Sequence, residues 1–368
     1  MIEEMKILHV INSLATGGAE KLLLETLPLY DEKGIKADLI VLNGTNSPFL
    51  EALKQLKCCN IFSLGTGSVY NTLLIFKIIS YFKNYDLVHV HLFPSQYWVV
   101  IAKLVSFSKT RLIFTEHSTS NRRLQNPIFK AIDKNVYKFY DKIICITKEI
   151  KEILIKHTHL PSEQFQIIEN GVNLGKIKSA TSIQKAEINS SLKPTDKILI
   201  QVAGFRIQKD QKTLIRALPL LPENVKLLLV GDGFLRKECE ELVKELKLNQ
   251  RVLFLGLRMD VPNLLKTSDI VIMSSIWEGF GLAAVEGMAA RKPVIATNVS
   301  GLGDIVNGAG LLFPVGDYNQ LAKLILELLE NPAYYDSVSI ACQKRSEDYD
   351  IQKMVDLHIN LYESIFKA

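Results

Sequence analysis

Short runs of β-branched and apolar residues alternate with segments of helical period along nearly the whole chain. This alternation is typical of parallel sheets whose strands are buried on both faces. Seven strands are predicted in the first half: Lys6–Ile11, Ala37–Leu42, Asn60–Ser63, Leu87–His91, Arg111–Thr115, Lys142–Ile146 and Gln166–Ile168. Six are predicted in the second half: Lys197–Ala203, Lys226–Val230, Val252–Leu255, Ile270–Met273, Val294–Ala296 and Gly310–Phe313. Each set is sufficient for one open, doubly wound sheet.

The chain is long enough for two domains, since 368 residues exceed the roughly 100 to 200 of a typical domain. The polar segment 173–196 has no strong apolar period and marks the boundary. We therefore predict an α/β protein of two Rossmann-like lobes, residues 1–172 and 173–351. The last residues, about 352–368, are helical in pattern and are expected to pack back on the first lobe.

Composition favours an ordinary cytoplasmic protein. Hydrophobic residues make up 48% and charged residues 23% of the chain, and the five cysteines lack a C-x-x-C spacing, which favours a reducing compartment. The N-terminus has Glu3 and Glu4 where a signal peptide would be basic. The most apolar helical stretch, Tyr97–Phe107, is too short to span a membrane and contains Lys103.

Positive charge is concentrated in the first half of the chain. Residues 1–190 hold 23 basic against 17 acidic side chains, and residues 100–156 alone hold 12 against 5. Lys130, Lys134 and Lys138 recur at a four-residue helical spacing. Two interpretations stay open: a solvated helix surface, or peripheral contact with an anionic membrane or an acidic acceptor. No nucleic-acid-binding motif accompanies the run.

Two loops that follow predicted strands of the first lobe carry candidate binding residues. Gly17 and Gly18 precede an amphipathic helix, where backbone amides can approach an anion or a sugar oxygen. They do not form a G-x-G-x-x-G dinucleotide fingerprint. His117, in T-E-H-S at the end of a strand, can bond a substrate hydroxyl. A metal site of His89 and His91 with His117 is the less favoured alternative.

The strongest pattern lies in the second lobe, at Asp269 to Glu286. A buried strand leads to Glu278, a Gly-Phe-Gly turn, and a helix that carries Glu286 among apolar neighbours. Amides at the start of that helix suit a diphosphate, and the two carboxylates suit diols. A ligand with a diphosphate between a ribose and a sugar therefore fits the whole arrangement. Arg206 and Lys209, after the strand 197–203, can balance the phosphate charge, so no metal is required.

These motifs identify the chain as resembling the family-4 retaining glycosyltransferases of the GT-B fold. The E-x7-E element from Glu278 to Glu286 is specific, and G-G-A-E, T-E-H-S, N-G-V, the Lys209 loop and V-G-D-G occur in the family's order. The resemblance implies a retaining hexosyltransferase whose first lobe binds the acceptor and whose second lobe binds the nucleotide sugar. It also implies a final helix that crosses back to the first lobe.

The resemblance also implies roles for single residues. Donor diphosphate would contact Gly17, Gly18, Arg206, Lys209, Gly281 and Leu282; the transferred sugar would contact His117, Glu278, Phe280 and Gly281; ribose and base would contact Glu286, Gly256, Leu257 and Arg258; and Asn170 and Gly171 would line the cleft. His117, Lys209 and Glu278 are the implied catalytic residues, with no metal or other cofactor. Family members commonly carry arginine at the position of Gly204, which makes the role of Arg206 the weaker assignment.

The substrates stay open at this point. A UDP-sugar donor and a glycan or lipid-linked acceptor of bacterial surface polysaccharide synthesis, at the inner face of the membrane, are favoured by analogy. The alternatives are a GDP-sugar mannosyltransferase, an epimerase or phosphorylase on the same fold, and an inactive sugar-binding protein.

Overall fold

The computed structural model describes residues 5–118 and 126–367 of the chain. The chain divides into two compact units. The N-terminal unit comprises Met1–Gly171 together with Ile351–Ala368, and the C-terminal unit comprises Val172–Asp350. No helix in the described ranges combines the length and the apolar character needed to cross a lipid bilayer.

The N-terminal unit is built on a seven-stranded sheet in the order β3-β2-β1-β4-β5-β6-β7, and every pairing is parallel. Its strands are β1 (Lys6–Ile11), β2 (Lys36–Val41), β3 (Ile61–Ser63), β4 (Leu87–His91), β5 (Arg111–Glu116), β6 (Lys142–Cys145) and β7 (Phe165–Ile167). Its helices are α1 (Gly18–Glu32), α2 (Pro48–Leu56), α3 (Leu74–Ile79), α4 (Ser95–Ser106), α5 (Pro127–Tyr137) and α6 (Lys148–Thr158).

The C-terminal unit has a six-stranded sheet in the order β10-β9-β8-β11-β12-β13, again entirely parallel. Its strands are β8 (Lys197–Val202), β9 (Val225–Val230), β10 (Val252–Gly256), β11 (Ile270–Met273), β12 (Val294–Thr297) and β13 (Leu311–Phe313). Its helices are α7 (Leu174–Ser179), α8 (Lys185–Ile188), α9 (Gln211–Ala217), α10 (Arg236–Glu245), α11 (Val261–Thr267), α12 (Leu282–Ala289), α13 (Leu302–Val306), α14 (Tyr318–Glu330) and α15 (Pro332–Ser346).

The last helix, α16 (Ile351–Phe366), belongs to the N-terminal unit and packs beside α1. The buried Tyr30 hydroxyl of α1 lies 2.9 Å from His358 Nδ1 and 3.3 Å from the Tyr362 hydroxyl of α16. Lys33 and Asp356 add an ion pair of 2.8 Å at the surface. The expectation that the final helix crosses back to the first lobe is confirmed, and a buried polar contact, as well as apolar packing, holds it there.

Both sheets have the doubly wound arrangement, and the predicted fold class is confirmed. In each sheet the strand order reverses at one point, between β1 and β4 in the N-terminal unit and between β8 and β11 in the C-terminal unit. Strands β4 and β11 are buried along their whole length because neighbouring strands and helices cover them. Ligands of such sheets bind beyond the carboxyl ends of the strands at the reversal point. The loops after these four strands are therefore the expected ligand-binding regions of the two units.

Candidate functional site

In the C-terminal unit, the loops after β8 and β11 are joined by an ion pair between Lys209 and Glu278. Lys209 Nζ donates to Glu278 Oε2, and the side chains are only 20% and 15% exposed. Strands β8 and β11 are neighbours, so their carboxyl ends bring the two loops together at the reversal point of the sheet. A cation and a carboxylate thus face the position where a ligand of such a sheet binds.

Buried polar side chains fix the backbone beneath this pair. Gln201 Nε2 donates to the Lys209 carbonyl over 3.0 Å, and Ser274 Oγ donates to the same carbonyl over 3.1 Å. Ser275 Oγ donates to Glu278 Oε2 over 3.1 Å. Gln201 and Ser274 are almost completely buried, and Gln201 Nε2 also lies 3.1 Å from Ser274 Oγ. The Lys209 loop is therefore held rigidly against the end of β11.

The turn between Glu278 and α12 depends on glycine. Gly281 has a φ of 102°, and a Cβ there would lie 2.7 Å from Leu302 Cδ1. Gly301 has a φ of 76°, and its Cβ would lie 2.9 Å from the Glu278 and Gly279 carbonyl oxygens. Both positions favour glycine for conformation and for space. The tight turn starts α12 at Leu282, and the first amides of a helix lack partners within it, so they can donate to an anion.

Glu286 lies on α12, one turn after Leu282, and is only 5% exposed. Its neighbours Val285 and Met288 are completely buried. A carboxylate in such surroundings is costly unless it forms hydrogen bonds, so a glutamate buried on this helix is expected to have a hydrogen-bonding task. The Phe280 ring packs edge-on against Tyr349 at 5.3 Å between centroids, so the proposed contact of Phe280 with a sugar would use its backbone amide.

Arg206 and Gly204 occupy the loop after β8. A Cβ on Gly204 would lie 3.7 Å from Arg206 Nε, and the Arg206 amide donates to the Gly204 carbonyl over 2.9 Å. The Arg206 side chain thus folds back to the place where a side chain at position 204 would begin. The proposed contact of Arg206 with the donor diphosphate stays a prediction.

The segment Gly256–Arg258, predicted to lie near the base, begins at the last residue of β10. The Gly256 carbonyl accepts from the Gly231 amide at 2.8 Å, which joins this segment to the V-G-D-G loop. Leu257 is 47% exposed. The Arg258 guanidinium is paired with Asp260 through contacts of 2.7 and 2.5 Å, and its hydrogen bonds lower the pKa of that carboxyl. Because that side chain is already paired, the backbone is the better candidate for contact with a base.

In the N-terminal unit, Gly17 and Gly18 lie where β1 leads into α1. Helix α1 begins at Gly18, and the Gly17 carbonyl accepts from the Lys21 amide at 3.0 Å. The Glu20 carboxylate folds over Gly17, with Oε2 only 2.2 Å from the position of a Cβ there. A phosphate at Gly17 would require this side chain to turn away, and the proposed diphosphate contact stays a prediction.

Histidines from β1, β4 and the end of β5 meet in the N-terminal unit. His91 Nε2 lies 3.1 Å from His9 Nδ1, and His91 Nδ1 lies 3.2 Å from His117 Nε2. His89 contacts Tyr362 at 2.6 Å and Thr115 at 2.7 Å. Burial lowers the pKa of His117 to about 4, and burial followed by the charge of His358 lowers that of His9 to about 3.

The positions of these histidines also test whether they could bind a metal ion. Candidate ligand atoms of His9, His89 and His91 lie within 4.8 Å of one another, so the grouping involves His9 in place of the His117 considered from the sequence. Both nitrogens of His89 and both of His91 already have hydrogen-bond partners. A metal would have to replace those bonds. Imidazole hydrogen bonding therefore explains the cluster better than metal ligation.

Asn170 and Gly171 follow β7. Asn170 is 6% exposed and lines a small cavity together with His9, His117 and His358. The Gly171 amide lies 3.1 Å from Met354 Sδ of α16. The structure therefore places Asn170 beside the histidine cluster of the N-terminal unit.

Sequence reasoning did not identify several residues that complete these sites. Gln201, Ser274 and Ser275 support the Lys209–Glu278 pair, and His9 extends the chain of histidines from His117. Polar residues inside otherwise apolar strands were the available signal, since Gln201 and His9 interrupt runs that are buried on both faces. A buried polar side chain normally has a hydrogen-bonding task.

Two family profiles match the chain. The one described as "Glycosyl transferases group 1" matches residues 183–345. The one described as "Glycosyltransferase Family 4" matches residues 16–176. Together they cover the loops of both units described above, including those that carry His117, Lys209, Glu278 and Glu286.

Individual proteins resemble the chain over most of its length. An uncharacterised glycosyltransferase of Methanocaldococcus jannaschii, MJ1178, is 32% identical over 82% of the chain and 82% of its own length. The UDP-Gal:α-D-GlcNAc-diphosphoundecaprenol α-1,3-galactosyltransferase of Escherichia coli is 25% identical over 98% of the chain and 97% of its length. The crystal structure of HepE from Anabaena in complex with UDP-glucose superposes with a TM-score of 0.85 at 23% identity, covering 98% of the chain and all of HepE.

Proposed function

The chain belongs to the group 1, family 4 glycosyltransferases, and we propose that it transfers a sugar from a UDP-sugar to a glycan or lipid-linked acceptor with retention of configuration. The observation that carries this proposal is the Lys209–Glu278 pair at the reversal point of the C-terminal sheet, beside the start of α12 and the buried Glu286. One nucleotide sugar can engage a cation, helix amides and two carboxylates at once. The acceptor would bind to the N-terminal unit.

The proposed chemistry needs charge stabilisation more than a nucleophile. The acceptor oxygen forms a bond to the anomeric carbon while the bond from that carbon to the diphosphate oxygen breaks, and the acceptor proton passes to the departing diphosphate. Lys209 and Arg206 would stabilise the negative charge that develops on the diphosphate. Glu278 would accept hydrogen bonds from sugar hydroxyls. Attack on the face from which the diphosphate leaves gives retention.

A metal ion is not required in this proposal. The two cationic side chains after β8 and the amides of α12 would supply the positive field at the diphosphate. The chain's D-x-D sequence, Asp348 and Asp350, lies beyond α15 rather than after a strand. Transfer is therefore expected to proceed in EDTA.

The favoured donor carries uridine. The E. coli relative uses UDP-galactose, and HepE of Anabaena was crystallised with UDP-glucose. We expect calorimetric titration in EDTA to show binding of UDP in preference to GDP and ADP. Preference for GDP would support the alternative of a GDP-sugar mannosyltransferase, and failure of all three to bind would support an inactive sugar-binding protein.

Product analysis separates the remaining enzymatic alternatives. With a UDP-sugar and a polyprenyl-diphosphate sugar as acceptor, the proposed enzyme forms a disaccharide whose anomeric proton has the donor's configuration by NMR. An epimerase would turn over the UDP-sugar without acceptor, and a phosphorylase would require inorganic phosphate. The E. coli relative acts on GlcNAc-diphosphoundecaprenol, which makes this acceptor class the first choice in bacterial surface polysaccharide assembly.

Helix α5 offers a surface for such a lipid-linked acceptor. Asp133 turns inward, where it accepts from the Tyr97 hydroxyl at 2.5 Å and lies 2.8 Å from His157 Nε2. Exposed side chains elsewhere on α5 include Ile128, Ile132, Lys130 and Lys134, and Lys138 is exposed directly after the helix. Exposed apolar groups flanked by lysines are typical of a surface that rests on anionic lipid. We infer that the N-terminal unit contacts the inner face of the membrane through α5.

We expect the double variant Lys130→Gln/Lys134→Gln to bind vesicles containing phosphatidylglycerol about 10- to 30-fold more weakly, since each lysine near an anionic surface contributes several-fold to binding. Co-sedimentation measures the change. The matched control is Lys54→Gln/Lys57→Gln, which removes two exposed lysines at the end of α2. Equal losses in both variants would contradict a specific role for α5.

A further inference from the structure

Three histidines of the N-terminal unit form one continuous line of hydrogen bonds. His9 Nδ1 lies 3.1 Å from His91 Nε2, and His91 Nδ1 lies 3.2 Å from His117 Nε2. His9 and His91 are almost completely buried, whereas His117 is partly exposed. Only His117 is implied by the family resemblance to contact a ligand. The other two rings connect it to the interior.

We infer that His9 and His91 are positioning residues that hold His117 in one tautomer, with Nε2 unprotonated and Nδ1–H available to donate to a hydroxyl oxygen of the bound sugar. The inference rests on the proposed function for its ligand. It extends that function because it assigns the hydrogen-bond direction at His117 and gives a task to two buried histidines outside the proposed binding residues.

The three rings can share only two arrangements. Burial lowers the pKa of each ring, so all three are neutral near pH 7. A neutral imidazole has one N–H donor and one unprotonated acceptor. Each of the two contacts needs one of each, so either all three rings carry hydrogen on Nδ1 or all three carry it on Nε2. The tautomer of the ring at one end of the line therefore fixes the tautomer of the ring at the other end.

His9, at the buried end of the line, determines which of the two tautomer arrangements is present. His9 Nε2 is buried and has no hydrogen-bond partner within the described part of the chain. If it carried hydrogen, an N–H group would be buried without an acceptor, and orphaned N–H groups are the rarer defect in protein interiors. If the hydrogen is on His9 Nδ1 instead, Nε2 is unprotonated and no buried N–H group is left without an acceptor. His9 then donates to His91, His91 donates to His117, and His117 Nε2 accepts.

The remaining histidine of the cluster does not compete for this line. His89 Nδ1 lies 2.6 Å from the Tyr362 hydroxyl, and His89 Nε2 lies 2.7 Å from Thr115 Oγ1. Tyr362 and Thr115 thus occupy both of its nitrogens. The tautomer of His117 depends on His91 and, through it, on His9.

Nitrogen-15 NMR of the full-length protein labelled at histidine tests the assignment directly. The shifts of the two ring nitrogens distinguish a protonated from an unprotonated atom, and His117→Gln identifies the signals. We expect His117 with Nδ1 protonated and Nε2 unprotonated in the free protein near pH 7. A spectrum with hydrogen on Nε2, or with a mixture of both forms, would overturn the inference.

Two isosteric variants of His91 supply a matched pair. An asparagine amide reaches the position of His91 Nδ1, so His91→Asn keeps a contact with His117, through either its NH2 group or its oxygen, and loses the one with His9. A glutamine amide reaches the position of Nε2, so His91→Gln keeps the contact with His9 and loses the one with His117. We expect a mixture of His117 tautomers in both variants, because each of them interrupts the line between His9 and His117 at a different contact. A single tautomer with hydrogen on Nδ1 in either variant would count against the relay.

Ligand affinity gives a second readout. Affinity for the UDP-sugar is expected to fall about two- to fivefold in both variants, because it scales with the fraction of His117 that is in the binding tautomer. Affinity for UDP, which lacks the sugar, should change in neither variant. If no nucleotide sugar binds the wild-type protein while its spectrum is as expected, the proposed function fails and the tautomer assignment stands. Unchanged affinity for the UDP-sugar in both variants would refute the assignment.

Discussion

Replacing Lys209 with alanine is expected to lower kcat/KM for the nucleotide sugar by about 10²- to 10³-fold, the range found when one preorganised donor to a developing anion is removed. Lys209 is the cation that meets Glu278 at the reversal point of the C-terminal sheet, and Gln201 and Ser274 hold its backbone in place. A steady-state assay of sugar transfer measures the loss. UDP affinity should fall as well, whereas affinity for uridine, which has no phosphate, should be unchanged.

The loss has two physical components that can be separated. In the proposed site Lys209 would stabilise the diphosphate, and it also neutralises Glu278, whose charge would otherwise repel that diphosphate. In Lys209→Ala/Glu278→Gln the repulsion is gone while the cation is still missing. We therefore expect the double variant to regain part of the affinity for UDP but not the rate of transfer.

Lys212→Ala is the matched control, because Lys212 lies three residues further on and pairs with Glu238 at the surface, 2.6 Å away. It should retain wild-type transfer. If Lys209→Ala remains as active as Lys212→Ala, the assignment of the diphosphate to the loop after β8 is wrong.

The strands were predictable to within one or two residues because parallel strands buried on both faces consist of short apolar runs. All thirteen predicted strands are present, and β11 and β4 coincide with their predicted limits. Such strands have few alternatives in an α/β sequence, since the helices between them show a different period. The strand order does not follow from this pattern, and it is the strand order that brings the loops after β8 and β11 together.

The contacts within the site were less accessible to sequence reasoning. Lys209 and Glu278 were each predicted to face a donor, but their pairing joins residues 69 positions apart and is set by the register of β8 against β11. The Glu20 carboxylate over Gly17 depends on a side-chain conformation that no sequence spacing specifies. The local sequence pattern determines the strands and helices, whereas these side-chain contacts depend on how the strands and helices pack against one another.

The histidine cluster shows the same limit over a longer range. Tyr30 and His358 are 328 residues apart and meet because α16 returns to α1. His9 and His91 are 82 residues apart and meet because β1 and β4 are neighbours. The alternation of His89 and His91 was visible in the sequence, but the third ring, His9, became evident only when the strand order was known.

Replacing Glu286 with glutamine is expected to weaken UDP binding by about 30- to 100-fold, the size of one or two hydrogen bonds to a charged group. Glutamine has nearly the shape of glutamate, so the buried packing on α12 is kept while the carboxylate is lost. Calorimetry of both proteins measures the difference. Glu330→Gln, an exposed change on α14, is the control and should bind UDP as the wild type does.

The ribose assignment can be tested by changing the ligand together with the protein. If Glu286 accepts hydrogen bonds from the ribose diol, the wild type should bind UDP more tightly than 2′-deoxy-UDP, and this preference should shrink in Glu286→Gln, whose amide keeps one oxygen acceptor instead of two. A carboxylate that only supported α12 would weaken both ligands by the same factor when replaced, leaving the preference intact. The coupling between the carboxylate and the 2′-hydroxyl, rather than the size of either loss, therefore decides whether Glu286 touches the ribose.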